Sequence, residues 1–391
     1  MSLIKRIEKY NDGAAPVLYD LKMRAMAESP FRFYRGTCHL FAEDLSKIYE
    51  RKPRIKVWNC GDAHFENFGS YKGDNRQVYF DVNDFDEAFL GNPAAELTRF
   101  ITSIIVAAMQ MGVSSVKIHK AVNDILQEYI VTVQRRKALM LESEVAHGAF
   151  KKFFSQMSTL DRDDFIGKRT IKEKGLLKLK IDDKRYISLD EEKKKELFKS
   201  ITPMMAKSNR FAEMVFEDAA IRIAGTGSLG LERYCVLFYS KRKGKQYLLD
   251  IKEARRSCYA GLSGSKQPTF RNNAERIITA GHIMQFTPAA FIAPLRMAGK
   301  WFVIKELQPT ADRMSLEAFD KDFNRLAEVA REMSKLIAYA HIRSCGNYGA
   351  STVDELVLFS DKKQWQREVL DIAGTLAIKN SKYYRTFCEK M

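Results

Sequence analysis

Cysteine is scarce and scattered. The six residues, Cys38, Cys60, Cys235, Cys258, Cys345 and Cys388, contain no C-x-x-C pair. That argues against a zinc site or a disulfide framework and favours a reducing, cytoplasmic setting. Long apolar runs are missing too. The longest, from Phe100 to about Val113, is short for a bilayer and is interrupted by Thr102, Ser103 and Gln110, so a buried helix is expected there. The opening MSLIKRIEKYNDG has no apolar core of signal-peptide length, and no leader is expected. No Lys/Arg run is long or interleaved with aromatics in the manner of a dedicated nucleic-acid surface. Internal repeats and low-complexity tracts are absent.

What is there is the composition of a soluble globular protein: 391 residues, 46% hydrophobic and 29% charged, enough for two lobes with their own cores. The net charge of +16 favours anionic partners such as nucleotides, phosphorylated molecules, nucleic acid or acidic membrane, without choosing among them.

Patterning divides the chain into five parts. Residues 1–53 read as helical, with breaks at Gly13–Pro16 and Ser29–Pro30. Residues 54–150 begin with a strand at 54–60 and a second around 77–82, with hairpin-turn chemistry in KGDN (72–75), followed by helices over 93–112 and 114–136. Residues 151–215 are rich in Lys and Arg and read as an insertion or peripheral subdomain with a hairpin turning at Asp182–Asp183. Residues 216–310 read as strand, glycine loop, strand, hairpin, strand, a helix over 273–286, and two further strands at 290–297 and 300–306. Residues 311–391 are helical, led by a long helix from about Leu316 to Arg343.

The first chemical motif is GDAHFENFG (61–69). It places Asp62 and Asn67 five apart on a tight loop after a strand. Phosphoryl transfer needs a carboxylate to orient and deprotonate the attacking hydroxyl and a neutral oxygen ligand for Mg²⁺, and one such loop can present both. The second is VYFDVNDFDEAFLGNP, with Asp81, Asp84, Asp86 and Glu87. Carboxylates this dense repel one another unless they are solvated or hold a cation; Mg²⁺ or Mn²⁺ is the economical explanation, and an acidic turn without an ion is the alternative.

The third motif is GTGSLG (Gly225, Thr226, Gly227, Ser228, Leu229, Gly230). It is followed by strand-forming LERYCVLFYS and not by the helix a dinucleotide site requires. A glycine flap whose N–H groups approach phosphate is the better reading. Lys252 in LLDIKEA is placed to hold nucleotide phosphates, with Lys305 in FVIKE as a rival later in the chain. Glu275, at the start of the next helix, is the candidate carboxylate partner for Lys252; complementing the helix dipole is its other reading. Arg35 in FRFYRG could reach a phosphate or the acidic loop, or belong to a packing staple around Phe31 and Phe33. His64 is expected to organise its loop by hydrogen bonding.

In protein kinases the order is glycine loop, lysine, helix glutamate, hinge, long helix, catalytic loop, metal-binding Asp. Here the catalytic loop (61–69) and Asp84 come first, then the glycine loop, Lys252, Glu275, a hinge at 305–308 and the long helix. Read as a circle the two orders agree, so the fold expected is α+β, a circularly permuted two-lobe kinase-like fold with a helical large lobe and an antiparallel-sheet small lobe.

GDAHFENFG with NDFDEAFLGNP resembles the catalytic motifs of the aminoglycoside phosphotransferase and choline kinase branch. That resemblance implies Asp62 as catalytic base and Asn67 and Asp84 as metal ligands, with Asn92 standing where the pattern has Asp. SPFRFYRG, VWNCGDAHFENFG, DVNDFDEAFLGNPAAELTR, GTGSLG, DIKEA and AHIRS together resemble the bacterial family called domain of unknown function 2252, placed in the kinase-like superfamily. The expected activity is transfer of the ATP γ-phosphoryl group to a hydroxyl acceptor with Mg²⁺ or Mn²⁺. Asp62, Asn67 and Asp84 are the catalytic set, Asp86 is an added metal ligand, and the Gly225–Gly230 loop with Lys252 and Glu275 forms the nucleotide grip. AMP transfer on the same ATP site and a non-catalytic ATP- or polyanion-binding module are the alternatives.

Overall fold

The structure is a computed structural model that describes residues 1–49, 53–141, 148–158, 161–206, 213–307, 315–319 and 321–391. The Gln308 end of the expected hinge lies outside the described residues.

The chain opens with α1 (Leu3–Tyr10), α2 (Pro16–Ala27), α3 (Pro30–Gly36) and α4 (Cys38–Leu45). The break before α3 is chemical: Ser29 accepts the Arg32 N–H and Pro30 occupies the first turn, where no backbone donor is needed. Two small antiparallel pairs follow. β1 (Val57–Asn59) pairs with β4 (Phe89–Gly91), and β2 (Phe68–Lys72) pairs with β3 (Val78–Val82). The KGDN turn therefore joins β3 to Phe68–Lys72, not to the 54–60 strand, which pairs elsewhere.

α5 (Pro93–Gln110) starts at an Asn92 cap that accepts the Ala94 N–H, so the Asn of G-N-P begins a helix. It is buried nearly all round between α3, α6 (Ser115–Gln134) and α13 (Lys363–Cys388), which is why its apolar run has no polar face. α7 (Gly148–Ser158) and α11 (Phe323–Ser344) complete the helical core, with α12 (Val353–Ser360) against α6. Among the described residues no helix is long and apolar enough to cross a membrane.

The second body is a six-stranded antiparallel sheet in the order β11-β12-β10-β9-β8-β7, which makes the fold mixed α+β. Its strands are β7 (Tyr186–Ile187), β8 (Met214–Arg222), β9 (Arg233–Ser240), β10 (Lys245–Glu253), β11 (Ala293–Met297) and β12 (Lys300–Leu307), with α10 (Asn273–Met284) between β10 and β11. The basic segment is built into this sheet. β7 is its edge strand, and α9 (Glu191–Ala206) buries Leu197 and Ile201 against Val236, Phe238, Leu249 and Ile251. α8 (Arg162–Gly167) and a hairpin of β5 (Thr170–Glu173) and β6 (Leu176–Leu179) lie on the other face. The expected hairpin across Asp182–Asp183 is divided: β6 pairs back to β5, and the 182–183 turn delivers the chain to β7, which pairs with β8. Local turn chemistry marked the bend but not the partner.

Candidate functional site

The Asp62–Asn67 loop follows β1. Gly61 has φ +88, and a Cβ there would stand 2.1 Å from the Glu87 carbonyl oxygen, so only glycine lets the two acidic loops touch. Glu96, on α5, accepts the Cys60 and Gly61 N–H groups at 3.0 and 3.1 Å and meets His341 Nε2 at 3.0 Å; His341 Nδ1 lies 2.8 Å from the Tyr129 hydroxyl. One turn further along the same helix, Arg99 donates to Asp62 Oδ1 from Nε at 2.9 Å and Nη2 at 2.7 Å. Its guanidinium stacks 3.6 Å from the Tyr34 ring centroid. His64 Nδ1 accepts the Glu66 N–H at 3.1 Å, a bond that organises the loop.

Asn67 joins the loops. Its Nδ2 donates to the Asp62 carbonyl at 2.9 Å and the Asp84 carbonyl at 3.2 Å, which leaves Oδ1 to offer a cation. Asp84 and Asp86 meet across Lys252, 168 residues from Asp84 in sequence: Nζ is 2.8 Å from Asp84 Oδ2 and also pairs with Asp86 Oδ2. Burial would raise the Asp84 carboxyl, but the Lys252 charge outweighs it and holds it well below the usual range. Burial, then the Asp84 charge, push Asp86 upward. The other two acids are committed elsewhere. Asp81 pairs with Arg343 at 2.9 Å, and Glu87 accepts the Tyr10 hydroxyl at 2.9 Å and the Cys258 N–H. The four-carboxylate cluster therefore reduces to Asp84 and Asp86.

The glycine turn joins β8 to β9, with Gly225 at φ +71 and Gly230 at φ +96. A Cβ on Gly227 would sit 3.2 Å from the Arg35 carbonyl and 3.9 Å from Asp62 Oδ2, so this turn lies directly over the Asp62 loop. Asp62, Asp84, Asp86, Gly225, Gly227 and Ser228 line one cavity of about 310 Å³. Thr226 and Leu229 face a second, of about 870 Å³, and Gly225 and Arg35 border both.

Glu275 does not reach Lys252. Its carboxylate accepts the Arg271 N–H at 2.6 Å and its own N–H is capped by Asn272, so it serves the first turn of α10. The expected Lys252–Glu275 pair is replaced by Lys252 with Asp84 and Asp86. Lys305, the rival lysine, lies on β12 opposite Asp250 and lines the larger cavity; burial lowers its ammonium to about 8. Arg35 pairs with Glu66 and borders both cavities, while Phe31 and Phe33 are buried, as the packing-staple reading of FRFYRG expects.

Sequence reasoning missed Glu96, Arg99 and Lys22. The first two are i and i+3 in AAELTR, a spacing that puts both on one helix face toward the loop. Lys22 left no local signal. It is buried on α2, donates to Asn11 Oδ1 at 2.8 Å and the Gly227 carbonyl at 3.2 Å, and burial lowers it to about 8. No group of three or more His, Cys, Asp and Glu side chains among the described residues is arranged to hold a metal; the donor set here is two carboxylates and an amide, with an ammonium between the carboxylates.

Residues 14–390 match the family described as an uncharacterized protein conserved in bacteria (DUF2252). No curated protein and no solved structure matches the chain.

Proposed function

The chain belongs to the bacterial family DUF2252 over nearly its whole length, and from that premise we propose that it is an ATP- and Mg²⁺-dependent phosphotransferase acting on a hydroxyl acceptor. The observation that carries this reading is the shared cavity: Asp62, Asp84 and Asp86 from one part of the chain face Gly225, Gly227 and Ser228 from another, and Lys252 bridges to the acids. The sheet follows the kinase-like order. The glycine turn joins two adjacent strands, the lysine lies on the next, a helix follows, and two more strands complete the set. On this reading the fold is a two-lobe kinase-like one in permuted order, with the Asp62 and Asp84 loops ahead of the sheet and α11–α13 after it.

In the reaction the acceptor hydroxyl attacks the γ-phosphorus, the bond to the ADP oxygen breaks, and the hydroxyl proton leaves toward Asp62. Arg99 holds Oδ1, so Oδ2, the oxygen nearer Gly227, is the one that meets the acceptor. Arg99 also fixes the Asp62 carboxylate in place, which favours orienting the hydroxyl. The glycine turn offers N–H groups to the phosphates, and Lys252 exchanges its carboxylate partners for phosphate oxygens. Asn67 Oδ1 and the Asp84 and Asp86 carboxylates fit a hard divalent cation once Lys252 turns away. The metal would neutralise phosphate charge there.

The test is ATP labelled at the α or the γ position, incubated with Mg²⁺, the purified chain and a metabolite extract. Label leaving only from the γ position, and lost in Asp62→Asn, is the expected result. Transfer of the α label would assign AMP transfer. Absence of any metal-dependent ATP consumption would leave a non-catalytic binding module.

A further inference from the structure

The cleft-side face of the sheet is half core and half charge. Toward α8 and β6 it carries Leu237, Leu248 and Leu307 in an apolar cluster. Toward the glycine turn the same alternation brings up charged groups. Lys252 is opposite Arg233, Asp250 is opposite Lys305, and Ile221 opposite Tyr234 sets Arg222 beside Arg233. A strand face that switches from leucine to arginine and lysine is built to meet something other than core.

The charges do not balance. Asp250 serves both guanidiniums, Arg222 Nη1 at 2.9 Å and Arg233 Nε at 2.7 Å. Lys305 makes no ion pair or hydrogen bond among the described residues, although it is largely enclosed. Among the described residues, two cations on the wall of the 870 Å³ cavity thus share one carboxylate, and a third, Lys305, is paired with none. Of the other acids of that cavity, Glu66 pairs with Arg35, Glu306 with Arg76 and Glu28 with Arg32, and Asp183 stands exposed on the turn before β7. An enclosed, unmatched ammonium beside two fixed guanidiniums costs folding free energy, and a doubly charged oxyanion would offset it.

We infer that the larger cavity is an anion site for a phosphate group, held by Arg222, Arg233 and Lys305, with Asp250 fixing the two guanidiniums. This does not rest on the phosphotransferase reading, since it is argued from the wall of the second cavity, which Asp62 and Asp84 do not line. The phosphate could be the tail of a nucleotide, because Gly225 borders both cavities, or could belong to a phosphorylated acceptor. The shared chemistry is a phosphate monoester or polyphosphate.

The experiment is calorimetric titration of the purified full chain in EDTA with tripolyphosphate and with glycerol 3-phosphate, comparing wild type, Lys305→Met, Arg222→Gln and Asp84→Asn. At least one probe should bind the wild type, weaken tenfold or more in Lys305→Met and Arg222→Gln, and bind Asp84→Asn undiminished. Lys305→Met should unfold at the same or a higher temperature than wild type without ligand, which separates lost binding from lost fold. A tenfold loss for tripolyphosphate matched by ATP titrated in the same EDTA buffer assigns the site to the nucleotide. A loss for glycerol 3-phosphate with ATP unchanged assigns it to the acceptor. Equal affinities in wild type, Lys305→Met and Arg222→Gln, or no wild-type binding of either probe at millimolar concentration, overturn the inference; ATP turnover in the same preparations then still decides the phosphotransferase reading.

Discussion

Arg99 grips Asp62 through two nitrogens, Nε at 2.9 Å and Nη2 at 2.7 Å, both on the same carboxylate oxygen. The guanidinium is wholly buried against Tyr34 and Phe41, whereas the Asp62 side chain keeps one fifth of its surface open to the cavity. The pair thus has a structural end and a chemical end. Asp62→Asn should lower turnover by about 10²–10⁴-fold, the range for a lost acid–base group, while MgATP still binds. Steady-state kinetics with a binding titration checks both halves. Undiminished turnover would remove Asp62 from the chemistry.

Glu96 supports the same loop from one turn earlier on α5. It accepts two backbone N–H groups at 3.0 and 3.1 Å and is itself buried with His341. Glu96→Ala leaves those donors and the imidazole Nε2 without a partner, and should cost about 3 kcal/mol or more. Urea denaturation measures this. A cost near zero would mean the loop holds itself.

Lys252 occupies the place between Asp84 and Asp86 that a divalent cation would take. Lys252→Met should abolish turnover yet bind Mn²⁺ more tightly than wild type in the absence of nucleotide, because the competing ammonium is gone. Its folding stability should fall without metal and recover with it. Electron paramagnetic resonance titration of Mn²⁺ reads the first effect, and equal Mn²⁺ affinity in the two proteins would refute the proposed metal site.

Burial lowers Lys305 to about 8 from its ordinary 10.5; Asp250 and Asp84 oppose the shift, while Arg233 and Lys252 add to it. Between those values the unfolded chain holds a proton that the folded chain has released, so this group's contribution to stability rises with pH across that window and is flat below it. The difference in unfolding free energy, wild type minus Lys305→Met, should therefore grow between pH 8 and 10.5. Lys22 behaves alike but is present in both proteins and cancels. Parallel curves would show that Lys305 does not titrate in this range.

Gly61 separates the two acidic loops by the width of a hydrogen. Gly61→Ala would place a methyl 2.1 Å from the Glu87 carbonyl at a backbone φ of +88, so both clash and strain oppose it. The expected result is a loss of soluble folded protein, whereas Gly227→Ala, with its nearest atom at 3.2 Å, should fold and lose nucleotide affinity. Circular dichroism and a nucleotide titration on both variants check the contrast.

Much of the local architecture was legible because it is written in short-range terms. The helix at Pro93–Gln110 follows from a capping Asn, a first-turn Pro and a sustained apolar pattern. The strands of 216–310 follow from alternation and glycine turns, and pairing then sets Arg233, Asp250, Lys252 and Lys305 on one face of the sheet and Tyr234, Ile251 and Ile304 on the other. Pairing was the weak point. KGDN and Asp182–Asp183 were visible as turns, yet the strands they serve were misassigned, since a turn says where a chain reverses and not which edge it meets.

Acting alone, the amino-acid order determined which residues could do chemistry: the Asp62–Asn67 loop, the Asp84–Asp86 turn, the glycine turn and two candidate lysines. Only the tertiary structure decided their partners. It gave Lys252 to Asp84 and Asp86 in place of Glu275, brought Gly227 over Asp62, buried Lys22, and left Lys305 without an ion pair among the described residues. The reason is range. Capping and periodicity act over a few residues, while charge pairing and desolvation depend on atoms brought together by the packing of segments far apart in the chain.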